Sequence, residues 1–139
     1  MKLVSIPAGE FLMGSTTADV NRLVADFSGE GFKKEYADTE QPQHRVKLTK
    51  SFSLGKFEVT KGQFAKFVSE EGYKTDAEKD GEGGWGYDVD AQKFEGRKPK
   101  YTWRNTGWSP YDDNHPVVNV SWNDAQAFCA WLSRKEGTK

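Results

Sequence analysis

Apolar positions change their spacing several times along the chain, and each change marks an element. Leu3, Val4 and Ile6, then Phe11, Leu12 and Met13, form two short apolar runs. They predict a strand over 3–13, broken by Pro7-Ala8-Gly9 and stopped by Gly14. The period then lengthens. Val20, Leu23, Val24 and Phe27 recur at i, i+3, i+4 and i+7 behind Thr16-x-x-Asp19, a capping box. This predicts a helix from Thr17 to Ser28, with Gly29 as its stop. Residues 30–43 are polar, and Pro42 discourages helix beyond it. Val46 and Leu48 alternate with charged and polar neighbours, and Phe52, Leu54 and Lys56 continue the alternation past a turn, giving two half-buried strands. Thr60 opens a second helix with Phe64, Phe67 and Val68 as its apolar stripe and Gly72 as its stop. His115 to Val120 reads as a short strand. Ser121-x-x-Asp124 then caps a third helix whose stripe is Ala125, Phe128, Cys129 and Leu132. Gly137-Thr138-Lys139 is turn-like.

Residues 73–114 follow neither period. They mix glycines and carboxylates with Tyr73, Trp85, Tyr87, Phe94, Tyr101, Trp103, Trp108 and Tyr111. Disordered linkers are poor in rings, so this stretch is expected to be a long ordered loop packed on itself.

Composition sharpens that picture. Nine Phe, five Trp and five Tyr stand in a chain of 139 residues, where Leu and Ile are scarce. A core of rings, turns and irregular loops is expected, in one domain. Twenty Lys and Arg against 21 Asp and Glu give a formal charge of −1, without the positive excess that a nucleic-acid binder uses to displace phosphate counterions. No apolar run is long enough to cross a bilayer and no leader is visible, which makes a cytoplasmic location the default expectation. The single cysteine, Cys129, excludes an internal disulfide.

Few residues suggest chemistry. Asp76-Ala-Glu78-Lys-Asp80-Gly81 imitates the first half of a calcium loop, but Tyr87 stands where the closing bidentate carboxylate belongs. Asp88-x-Asp90 is too little to hold a divalent ion. His44 and His115 have no second ligand at helical or hairpin spacing and read as hydrogen-bonding residues at strand starts. Cys129, between apolar neighbours in mid-helix, reads as an inert core thiol. No catalytic and no metal-ligating residue is assigned. Tyr101, Trp103, Arg104 and Asn105 are the candidate substrate-binding residues, because an arginine between rings and amides can offer a rigid donor fork to a carboxylate or peptide carbonyl. A loop staple is the alternative for the same string.

Several strings together resemble one family. They are Ile6-Pro7-Ala8-Gly9-Glu10-Phe11-Leu12-Met13-Gly14-Ser15, Glu40-x-Pro42-x-His44-x-Val46, and Glu58-Val59-Thr60-x-x-Gln63-Phe64-x-x-Phe67-Val68. Further along come Gly72-Tyr73-x-Thr75-x-Ala77-Glu78, Trp103-Arg104-Asn105 and the run from His115-Pro116 to Asp124-Ala125. Their order and spacing resemble the formylglycine-generating enzyme family, or sulfatase-modifying factor domain. The resemblance implies an α+β, C-type-lectin-like fold with short strands, about three short helices and long ordered loops. In the family, complete members oxidise a cysteine of a sulfatase polypeptide to Cα-formylglycine with molecular oxygen and copper held by two cysteine thiolates, beside structural calcium.

The family pattern continues past the third helix into an R-L-P-T-E-A-E-W-E string, the calcium sites and the cysteine pair. Residues 1–139 resemble only the N-terminal portion of the domain, so the fold is expected to be incomplete. These residues alone are expected to bind no cofactor and to be inactive as an oxidase. Expected partners are the sulfatase polypeptide, for the parent protein, and a C-terminal half of the domain; neither nucleic acid nor membrane is expected. The last two helices are expected to pack on a small sheet. Phe64/Phe67 and Phe128/Leu132 are expected to be partly unpaired and to favour self-association. Two alternatives remain: a non-catalytic ligand- or peptide-binding lectin-like module, and a domain of an iron-dependent sulfoxide synthase.

Overall fold

Four of the five described helices begin at a Thr or Ser whose partner three residues on reaches back to the start of the helix. The computed structural model describes residues 1–28 and 32–137. Its contacts gather into two compact units, Met1–Lys56 and Phe57–Lys139.

The first unit holds strands β1 (Leu3–Ile6) and β2 (Gly9–Met13), helices α1 (Thr17–Asp26) and α2 (Lys34–Asp38), and strands β3 (His44–Leu48) and β4 (Phe52–Gly55). β1 pairs antiparallel with β4, and β2 with β3. The break at Pro7-Ala8 therefore sends one apolar run into two separate ribbons. Neither ribbon pairs with a third strand among the described residues, and the expected half-burial is reached only in part: Val46 and Leu48 are half-buried, whereas Phe52 and Leu54 are exposed. The Thr16–Asp19 box caps α1 as its sequence predicts, and Val20 is its buried residue. The helix ends at Asp26, two residues early; Gly29, its expected stop, lies outside the described residues.

The second unit carries α3 (Lys61–Glu71), α4 (Asp76–Lys79), strands β5 (Gly84–Asp88) and β6 (Lys93–Lys98), and α5 (Trp122–Glu136). Thr60 and Gln63 cap α3, and Gly72 ends it in the left-handed conformation at φ 59°. Gly137 ends α5 in the same way at φ 64°, and Thr138 and Lys139 lie outside the described residues. The core is a cluster of rings. Phe64 lies 5.3 Å from Phe67, 5.3 Å from Trp103 and 5.9 Å from Phe128, centroid to centroid, and Phe67 lies 5.7 Å from Trp131. Helices α3 and α5, the last two expected from the sequence, thus pack on each other around a loop tryptophan, not on a sheet, and Phe64, Phe67 and Phe128 bury one another instead of standing unpaired. At their C-terminal ends Glu70 accepts from Trp131 Nε1 at 3.0 Å and from Lys135 at 2.6 Å.

The inward face of α5 is Asp124, Ala127, Phe128, Trp131 and Leu132. Phe128 and Leu132 lie on it as expected, but Ala125 and Cys129 are exposed. Trp131 rotates the stripe, because its ring is the larger apolar surface and its indole N–H has Glu70 to bond. The strand expected over His115–Val120 is reduced to one bridge, Thr60 to Pro116. Pro116 has no N–H to donate, and Asn119 turns the chain at φ 57°.

Residues 73–114 are ordered but not one loop. The antiparallel hairpin β5–β6 slips register between Gly84 and Gly86. There Asn119 supplies a side chain in place of a strand: its Oδ1 accepts from Trp85 N at 3.1 Å and its Nδ2 donates to Trp85 O at 2.9 Å. Gly86 faces the buried Tyr101 ring so closely that a Cβ would lie 2.3 Å from it.

One carboxylate joins three chain segments. Asp124 is fully buried; its Oδ2 accepts from Ser121 N at 2.8 Å, and its Oδ1 from Tyr73 Oη at 3.0 Å and Asp76 N at 3.1 Å. Asp76 in turn accepts from the Ser121 hydroxyl at 2.5 Å and from Asn123 at 3.2 Å. Burial and the Asp124 carboxylate push the Tyr73 phenol up from 10.0 to about 12.

Three outcomes follow from this packing. Asp124→Ala leaves two N–H groups and a phenol without their acceptor, and urea denaturation should show a loss of about 3 kcal/mol or more. Gly86→Ala drives a methyl into the immobile Tyr101 ring and should cost about 2 kcal/mol in the same measurement. A phenol raised in the folded state stabilises fully below its unfolded value and loses that contribution as pH rises to its folded value. Stability from Tyr73 should therefore decay between pH 10.0 and about 12. Tyr73→Phe should remove a component titrating near pH 12 from a tyrosinate absorbance titration.

Candidate functional site

Adjacent residues of the Tyr101–Asn105 string have opposite fates. Tyr101 and Trp103 are each 2 % exposed, so their rings belong to the interior and offer no open face. The Tyr101 hydroxyl donates to Glu95 at 2.6 Å. Asn105 staples its loop: Nδ2 donates to Lys100 O at 3.1 Å and Oδ1 accepts from Gly107 N at 2.9 Å. Arg104 and Asn105 are both exposed, and of the two Arg104 has a charged edge to offer. Its guanidinium carbon sits 4.2 Å from the Trp103 ring centroid, and its Nε donates to Glu78 Oε1 at 3.1 Å.

Glu78 is itself held from behind. Its Oε2 accepts from Thr75 N at 2.9 Å, from the Thr75 hydroxyl at 3.0 Å and from Trp103 Nε1 at 3.4 Å. Burial pushes the Glu78 carboxyl up, but these bonds and Arg104 outweigh it, and the group lies below the usual carboxylate range. Arg104 and Glu78 border a hollow of about 570 Å³, with Ala65, Val68, Tyr73 and Lys74 among its other walls.

A second, apolar groove of about 420 Å³ lies along the hairpin. Trp85, Phe94 and Trp108 line it and are more than half exposed. The Phe94 and Trp108 planes are within 13° of parallel, at a centroid distance of 6.2 Å, and Tyr87 meets Trp108 edge-on at 4.5 Å. The groove has no signature in the apolar periodicity. It depends on the hairpin register and on the return of residues 106–119 beside it.

His115 borders this groove with Nδ1 3.1 Å from Asp112 Oδ1, while His44 Nδ1 lies 3.0 Å from Pro42 O at the start of β3. No hydroxyl or thiol bonds to either ring among the described residues. The acidic string at 76–81 is consumed by structure: Asp76 caps toward Ser121, Glu78 holds Arg104, and Asp80 accepts from Glu82 N at 2.8 Å and pairs with Arg97. Asp88 closes the hairpin turn by accepting from Ala91 N at 2.9 Å. No group of three or more His, Cys, Asp or Glu is placed to hold a metal among the described residues.

Cys129 is exposed on α5, which corrects the expectation of a buried core thiol: the Trp131 side of the helix takes the interior instead. A copper ion held by two thiolates does not fit these residues, because Cys129 is the only cysteine of the 139. No described helix is long and apolar enough to cross a membrane.

Comparison with known proteins gives this geometry a context. The sulfatase-modifying factor enzyme 1-like domain matches residues 1–136. The formylglycine-generating enzyme of Streptomyces coelicolor is 34% identical over 152 residues, covering 98% of this chain and 44% of that protein. The bovine enzyme is 32% identical, with 99% of this chain and 37% of that protein covered. Mouse inactive C-alpha-formylglycine-generating enzyme 2 is 30% identical over 99% of this chain and 44% of its own length. The chain thus spans less than half the length of these relatives. Among solved structures, PvdO from Pseudomonas aeruginosa superposes with a TM-score of 0.60 at 24% identity, over 97% of this chain and 40% of that one, which shows the shared fold. With the match extending over residues 1–136, from before the first strand to the end of the last helix, the chain belongs to the sulfatase-modifying factor enzyme 1-like domain family.

Proposed function

We propose that these residues form the N-terminal scaffold of a formylglycine-generating-enzyme-like protein, and that they do not carry out the oxidation by themselves. The observation that carries this reading is the family match across residues 1–136 in a chain with one exposed cysteine. Oxidation of a sulfatase cysteine to Cα-formylglycine, and binding of the sulfatase polypeptide, are then properties of the longer protein. Exposed Phe11, Leu12 and Met13 on β2 support the same reading, since apolar strand residues of this kind are normally covered by further chain.

A second reading is favoured by the hairpin groove. Its open tryptophan and phenylalanine faces suit a binding module without redox chemistry, and an inactive relative stands among the matches.

Cuprous-ion competition and oxygen-dependent conversion of a Cys-x-Pro-x-Arg peptide test the first reading. The 139 residues should neither hold copper tightly nor convert the peptide, and Cys129→Ser should change neither result. Turnover by these residues alone would overturn it.

A further inference from the structure

We propose that the Arg104 hollow binds a carboxylate carried on a small apolar body. This inference is independent of the family reading, because it concerns recognition by residues of this chain and involves no oxidation.

The argument starts from how Arg104 is held. The Nε bond to Glu78 and the Trp103 ring beneath the guanidinium fix its plane. An arginine held in this way has already lost the rotamer freedom that binding would otherwise remove. Its Nη1 and Nη2 groups have no hydrogen-bond partner among the described residues, where Nε is the side-chain nitrogen that is engaged. Lys74, on the wall of the same hollow, has no ion pair among the described residues. The charged lining is therefore two cations against one carboxylate, and that carboxylate is already occupied by Arg104.

The ligand class follows from shape and charge. A guanidinium edge offers two parallel N–H donors, which match the two oxygens of a carboxylate. A phosphate dianion would add a second negative charge beside ionised Glu78, which disfavours it. The rest of the hollow is Ala65, Val68, Gly72 and Tyr73, with Ser69 as one neutral polar side chain among them, so it can seat a small aliphatic or aromatic body but has no further charge to offer. Its volume of about 570 Å³ is in the range of small-ligand sites.

A free acid and a peptide C-terminus share this chemistry. The test is a nuclear magnetic resonance titration of the full chain with arginine side chains labelled, at constant ionic strength. The probes are hexanoate and N-acetyl-alanyl-leucine, each beside its own carboxamide. Both acids, or the one that matches the natural source, should shift the Arg104 Nε–H resonance saturably while the carboxamides do not. The tighter acid identifies the source. Arg104→Lys keeps the charge but loses the fork and should weaken binding about tenfold. If that variant does not fold, the acid and carboxamide pairs decide the matter on the unaltered chain. Equal response to acid and carboxamide, reproduction of the shift by sodium chloride, or no saturable shift up to about 10 mM acid would overturn the proposal.

Discussion

A carboxylate without water must find donors, and the answer Asp124 finds organises the second unit. Its partners come from the end of the α3 segment, the start of α4 and the start of α5. Because all three are satisfied by two oxygens of one residue, the segments cannot shift independently. The ring cluster of Phe64, Phe67, Trp103, Phe128 and Trp131 forms the apolar core of this unit, but the hydrophobic drive that gathers it is non-directional. The buried carboxylate supplies the directional constraint that rings lack.

The loop after β6 works by the same principle with smaller parts. It has little regular structure, so its peptide groups depend on side chains: Asn105 bonds Lys100 and Gly107, and the Thr106 hydroxyl accepts from Trp108 N at 3.2 Å. Trp103, seated in the ring cluster, anchors the loop to the helices. Arg104 is placed by that anchor, one residue away, and its orientation is inherited from the core. A charged surface group acquires the order of an interior one.

Much of this was legible in residue spacing. Capping boxes at Thr16 and Ser121, the helix start at Thr60 and the glycine stop at 72 mark helix ends because they answer a local need of the backbone; that Thr60 pairs with Gln63 and that Gly137 ends α5 came from the structure. The family strings identified the fold as well. The β5–β6 hairpin was not legible, since Gly84-Trp-Gly-Tyr-Asp alternates rings with glycines, which are poor strand formers, and Lys93-Phe-Glu-Gly-Arg-Lys has Phe94 as its one apolar side chain. Its glycines are needed where Tyr101 and Asn119 approach the backbone, a constraint set by residues distant in sequence. The exposure of Cys129 was misread for a related reason: the spacing 125, 128, 129, 132 is apolar, but the large ring next to it faces inward. In the candidate site, Arg104 was singled out by its neighbours' chemistry, whereas its partner Glu78 was visible only as one acid in an acidic run.

The amide of Asn119 bonds both peptide groups of Trp85, as a neighbouring strand would. A hairpin normally leaves such groups available to any extended polypeptide that comes alongside, which is how sheets recruit foreign chains and grow into aggregates. Here the vacancy at the bulge is filled from within, by a group too short to continue the ladder. The molecule closes that position to templated growth without adding a strand.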